Sequence, residues 1–106
     1  MADVDEGFAA ELRALRVAYA LGLSSKLEGL DEALAVLRAA PGEPDAAAQA
    51  RALAHRLGGT AGSYGFVAVG DAASALEALL SAPQLDEPAI DGAVEVLRLA
   101  AEAVRG

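Results

Sequence analysis

Residues Phe8–Leu37, "FAAELRALRVAYALGLSSKLEGLDEALAVL", decide the fold. Phe8, Leu12, Leu15, Tyr19, Leu23, Leu27, Leu30, Leu34 and Leu37 follow one another at intervals of three or four. That is the α-helical period, sustained over about eight turns. One long helix satisfies the pattern, and Gly22 with Ser24 and Ser25 equally marks a bend or a change of helix. The reading adopted is a short first helix running into a longer second.

The same period recurs downstream between clear breaks. "PGEPD" (Pro41–Asp45) ends the first helical region, and Asp45 reads as the N-cap of the next helix, which carries Leu53 and Leu57. After Gly65 comes a stripe of Phe66, Val69, Ala73, Leu76 and Leu80. "SAPQLDEP" breaks it, with Pro88 suited to a first helical turn, and Ile90, Val94, Leu97, Ala101 and Val104 form the last stripe. No hairpin dipeptide with alternating flanks occurs. The expected fold is all-α: an antiparallel four-helix bundle with a short extra N-terminal helix, one domain over residues 1–106.

Composition narrows the function. Sixteen acidic against eight basic residues give a net charge of −8, the wrong sign for nucleic acid. The chain has no cysteine and one histidine, so thiolate chemistry is excluded and no metal site is expected. "MADVDEGF" is acidic where a signal peptide is basic, and no apolar run is long enough for a membrane span. The expectation is a cytoplasmic, monomeric protein with no membrane attachment.

The single histidine lies in "AHRLGGTAGSYGF" (Ala54–Phe66). Leu53 and Leu57 each sit about 160° round the helix from His55, so leucines facing the core turn the imidazole outward. Its neighbours on the same face are Ala48, Arg51, Ala52, Gly58, Gly59 and Gly62, nearly all of them small. Gly58 and Gly59 together cost about 2 kcal/mol relative to alanine. A helix end accounts for Gly62 or Gly65 as a left-handed terminal residue; the pair one turn after His55 points to an open platform for a large partner. From Ala46 to Gly70 there is no Asp or Glu, while Arg51, His55 and Arg56 all fall there. This locally basic face suits an anionic group.

"HRLGGTAGSYGF" resembles the signature of histidine phosphotransfer (HPt) domains, with His55, Leu57, Gly59 and Gly65 at the motif positions. "AASALEALL", with its Leu76–Glu77 pair, is similar to the family's following helix. The resemblance implies a phosphocarrier without autokinase activity. On this resemblance His55 accepts a phosphoryl group from a receiver-domain aspartate and passes it to a second receiver, a neutral imidazole being a usable nucleophile. Its implied partners are response-regulator receivers and a hybrid histidine kinase. No cofactor of its own is implied, since Mg²⁺ belongs to the receiver. The family's usual lysine three residues after the histidine is Gly58 here, and Arg51 or Arg56 stands near enough in sequence to supply the charge. Two alternatives are a non-phosphorylated adaptor that docks receivers and the phosphoacceptor module of a chemotaxis-type kinase.

Other features read as structural. "GGTAGSYG" closes a helix, whereas nucleotide loops follow a strand and open one. Ser63 lies about two turns from His55 with no third orienting group. Tyr64 and Phe66 read as core plugs, and Glu77 as a surface or helix-pairing charge. The N-terminal apolar stripe reads as core, with some of it available to pair with another chain.

Overall fold

The computed structural model describes residues 2–105, and side chains within residues 6–104. Four helices follow in order: α1 (Ala2–Ala39), α2 (Pro44–Ser63), α3 (Val67–Leu80) and α4 (Glu87–Arg105). There is no strand among the described residues. Short turns join sequential neighbours antiparallel, and α1 closes the bundle against α4.

The expected separate N-terminal helix does not occur, because α1 is one unbroken helix of 38 residues. Gly22 weakens a helix by about 1 kcal/mol but does not end it, and no proline intervenes. The stripe from Tyr19 through Leu23, Leu30, Leu34 and Leu37 stays in phase and buried across Gly22, so packing holds the helix straight through the weak point.

The start of α2 also differs from expectation. Glu43 occupies the N-cap without a side-chain bond, Pro44 opens the helix, and Asp45 lies inside the first turn. Its carboxylate there favours the positive end of the helix dipole. At the other end Tyr64 is the C-cap and Gly65 adopts φ 84°. Gly65 N–H donates to Gly62 O (3.0 Å) and Phe66 N–H to Ala61 O (2.9 Å). These are the paired bonds of a Schellman stop, which needs a left-handed residue and therefore favours glycine. Asp86 Oδ1 accepts the Ala89 N–H at 3.1 Å, capping α4 beside Pro88.

The core is wholly apolar among the described residues. Its centre is leucine from α1, α3 and α4: Leu23, Leu30, Leu34, Leu76, Leu80 and Leu97, with Val69. The contribution of α2 is different in kind. Ala46, Ala50, Ala54, Leu57 and Ala61 form its buried face, and Leu53 packs only at the edge. An alanine face lets the neighbouring helices approach the α2 backbone closely. Tyr19 ties α1 to the end of α2: its hydroxyl lies 2.7 Å from Thr60 Oγ1, and its ring stacks on Tyr64 at 4.7 Å and Phe66 at 5.9 Å. Both rings are half-buried against the core, as plugs at the turn.

Candidate functional site

With Ala50, Ala54, Leu57 and Ala61 turned inward, helical geometry carries His55 outward, and its side chain is 75% exposed. Arg51 lies about 40° to one side of it round α2, and Arg56 about 100° to the other. Ala48, Arg51, Ala52, His55 and Arg56 line one shallow, open hollow, closed on the α3 side by Glu77. Neither arginine makes an ion pair among the described residues, whereas Arg38 and Arg98 are paired with Asp91 and Glu95. Both arginines line the same hollow as His55.

Glu77 reads from the sequence as a surface or helix-pairing charge, and the structure has it pairing across to α2. In the structure His55 Nδ1 lies 2.9 Å from Glu77 Oε2. A carboxylate only accepts, so Nδ1 is the donor of this bond, which in the neutral ring leaves the lone pair on Nε2. The bond also fixes the ring plane. Nε2 makes no hydrogen bond among the described residues, on a side chain that is mostly exposed.

What brings Glu77 there is the approach of α3 to α2. Each step forward on α2 is matched by an equal step back on α3. His55 meets Glu77; a Cβ built on Gly58 lies 2.9 Å from Ser74 Oγ; a Cβ built on Gly70 lies 3.3 Å from Gly62 N and 3.2 Å from Gly58 O. The atoms nearest that Gly70 Cβ are all backbone, which unlike a side chain does not turn aside. The three contacts form one antiparallel register, and the glycine crossing sets the distance at which Glu77 reaches the imidazole.

The glycines near His55 therefore divide. Gly58 is half-buried and directed at α3, not at the open face where the sequence reading sets it; the reason is the Ser74 and Gly70 contact. Gly59 and Gly62 are exposed, and a Cβ on either meets nothing within 4 Å. Ser63 is turned back into its own helix, donating to Gly59 O at 2.9 Å. The charge pattern along the chain missed Glu77 because the acid-free segment ends at Gly70 and α3 folds back over it. The available signal was the α3 wheel: buried Leu76, Ala73 and Val69 leave Glu77 on the flank of that helix.

Among the described residues no group of three or more His, Cys, Asp or Glu is placed to hold a metal ion. No described helix is long and apolar enough to cross a membrane. Searches of curated proteins and of solved structures find no match to this chain. The Hpt-domain family model, however, matches residues 21–106, which takes in all of α2, α3 and the described α4 and most of the buried half of α1. An outward histidine on the second of four antiparallel helices, in a chain so matched, has one family context: the chain belongs to the Hpt-domain family, whose members carry phosphoryl groups in phosphorelays and interact there with receiver domains and kinases.

Proposed function

We propose that His55 accepts a phosphoryl group from the aspartyl phosphate of one receiver domain and delivers it to the aspartate of another. The observation that carries this reading is the Nδ1–Glu77 bond on a side chain otherwise open to solvent. The Nε2 lone pair attacks phosphorus in line, the N–P bond forms as the acyl-phosphate P–O bond breaks, and the electron pair leaves with the receiver's carboxylate. The ring keeps its Nδ1 proton and becomes cationic, and the Glu77 carboxylate offsets that charge. The return step runs the same bonds in reverse toward a second aspartate.

Arg51 and Arg56 stand beside the phosphoryl group and supply the positive charge that a lysine at position 58 gives elsewhere in the family. Gly59 and Gly62 leave bare backbone for the receiver to approach. In this reading Mg²⁺ and its acidic ligands belong to the receiver, and the carboxylate that lines the hollow around His55 serves the imidazole. In this reading the domain is a carrier without autokinase activity, in keeping with Hpt domains being phosphocarriers rather than catalysts. Gly58 itself is turned toward Ser74 of α3 and not toward the open face around His55.

The test is incubation with a phosphorylated receiver domain. Acid-labile, base-stable phosphate on the wild-type chain and none on His55→Gln is the expected result. Label that persists in His55→Gln rules the mechanism out.

A further inference from the structure

Three of the chain's four aromatic residues, Tyr19, Tyr64 and Phe66, form one pile at the α2–α3 turn. Tyr19 stacks on Tyr64 with 26° between the ring planes and on Phe66 with 18°. Two cations of α1 close the pile. The Arg16 guanidinium lies 5.0 Å from the centre of the Phe66 ring, and Lys26 Nζ lies 4.8 Å from that of Tyr19. Arg16, Tyr19 and Lys26 are spaced three and seven residues apart, so all three project from one face of α1. Upstream, Phe8, Leu12 and Leu15 are exposed, so the N-terminal stripe belongs to the core only from Tyr19 on. The family match begins at residue 21, which leaves Arg16 and Tyr19 outside it.

What the pile holds is the joint between the two helices that carry the site. Only Tyr64, Gly65 and Phe66 connect α2 to α3. Two of the three are in the pile, and Arg16 Nη2 lies 3.8 Å from the place of a Cβ on the left-handed Gly65. Tyr19 is also tied to α2 itself. Thr60 has one hydroxyl proton and donates it to Arg56 O at 3.0 Å, so the tyrosine donates the 2.7 Å bond between them.

We infer that Tyr19 is a positioning residue: by holding the turn it holds α3 at the angle that puts Glu77 on His55. For its effect on transfer this rests on the phosphotransfer reading; the geometry stands apart from it. At the crossing, the place of a Gly70 Cβ is met by the backbone of Gly58 and Gly62. Such a contact sets how close the helices lie but offers no interlocking side chain to stop α3 swinging about it. Leu76 and Leu80 seat the inner face of α3 in the core, and the turn anchors its near end. Phe66 lies four residues before Gly70, about 6 Å along the helix, and Glu77 lies seven residues after it, about 10 Å. A shift of about 1 Å at the turn therefore swings Glu77 by about 1.7 Å the other way. The 2.9 Å bond to Nδ1 does not survive that.

The tautomer of His55 reads this hold with no phosphoryl group involved. In ¹⁵N NMR of the full chain with the ring neutral, the wild type carries its proton on Nδ1, as the Glu77 bond requires. Tyr19→Leu removes both the stack and the hydroxyl. The expected result is an Nε2–H population raised by about threefold or more, with transfer from a phosphorylated receiver slowed by about three- to tenfold. Tyr19→Phe keeps the ring and falls between that variant and the wild type. Should Tyr19→Leu fail to fold, Tyr19→Phe and Thr60→Val carry the same test, each removing one partner of the hydroxyl bond. Ile90→Val, buried at the other end of the bundle, is the control: it lowers the denaturation midpoint and leaves the tautomer as in the wild type. Folded Tyr19 variants with the wild-type tautomer overturn the proposal. So does an equal shift in Ile90→Val, which makes the effect one of stability alone. A shifted tautomer in a chain that forms no phosphohistidine upholds the hold of Tyr19 on Glu77 and removes the phosphotransfer reading instead.

Discussion

On the α3 side of α2, a Cβ on Gly58 meets the Ser74 hydroxyl and a Cβ on Gly70 meets the backbone of Gly58 and Gly62; one residue beyond Gly58, Gly59 faces empty space. The two regions are built from the same residue type within a single helical turn. One glycine contact brings helices together, and the other keeps a surface clear. The first determines where Glu77 stands relative to His55; the second determines what can reach His55 from outside. A run of glycines read only as helix-breaking, or only as a platform, hides that division.

The comparison breaks most visibly at the crossing. Gly70→Leu forces bulk against the Gly58 and Gly62 backbone and is expected to cost about 3 kcal/mol in chemical denaturation. Glu77→Ala separates the crossing from its consequence. The exposed Nδ1 bond adds little to stability, so the fold is retained to within about 1 kcal/mol. Transfer from a phosphorylated receiver slows by about 100-fold, the order of loss when a reacting group is no longer oriented. An unchanged rate removes Glu77 from the mechanism.

Smaller effects belong to the outer face. Arg51→Ala and Arg56→Ala each slow transfer by roughly three- to tenfold, more at low than at high salt, as the loss of an exposed charge beside a phosphoryl group requires. If both variants transfer at the wild-type rate and salt dependence, the basic flank has no part in the reaction. Gly59→Ala gives the smallest change in stability, a gain of about 0.5–1 kcal/mol, because nothing lies near the added methyl. Gly58→Ala gains less, since the Ser74 hydroxyl must first turn aside, and pairing it with Ser74→Ala restores the difference. Equal gains at the two positions in the single variants contradict the division between them.

Much of this was legible in the residues. The three-and-four spacing gave the helices, "PGEPD" and "SAPQLDEP" gave two of the breaks, and the positions of Leu53 and Leu57 relative to His55 turned the imidazole outward. Those are local properties, readable along one helix at a time. Glu77 was legible as a surface or helix-pairing charge, but its partner was not, because the pairing depends on the register between two helices, which the Gly58–Gly70 approach sets across 12 residues of chain. The unbroken α1 was missed for a related reason: the local weakness of Gly22 is outweighed by core contacts on both sides of it. The alanine face of α2 was obscured by its larger neighbours, since leucine marks a core by size whereas alanine marks a close approach.

The most direct test of the account is the site of phosphorylation on the ring. The chain, with its one histidine labelled with ¹⁵N, is incubated with a phosphorylated receiver domain and observed by NMR. The account predicts phosphorus bonded to Nε2 of His55, with Nδ1 still protonated toward Glu77. Phosphorus on Nδ1, or no phosphohistidine at all, contradicts it.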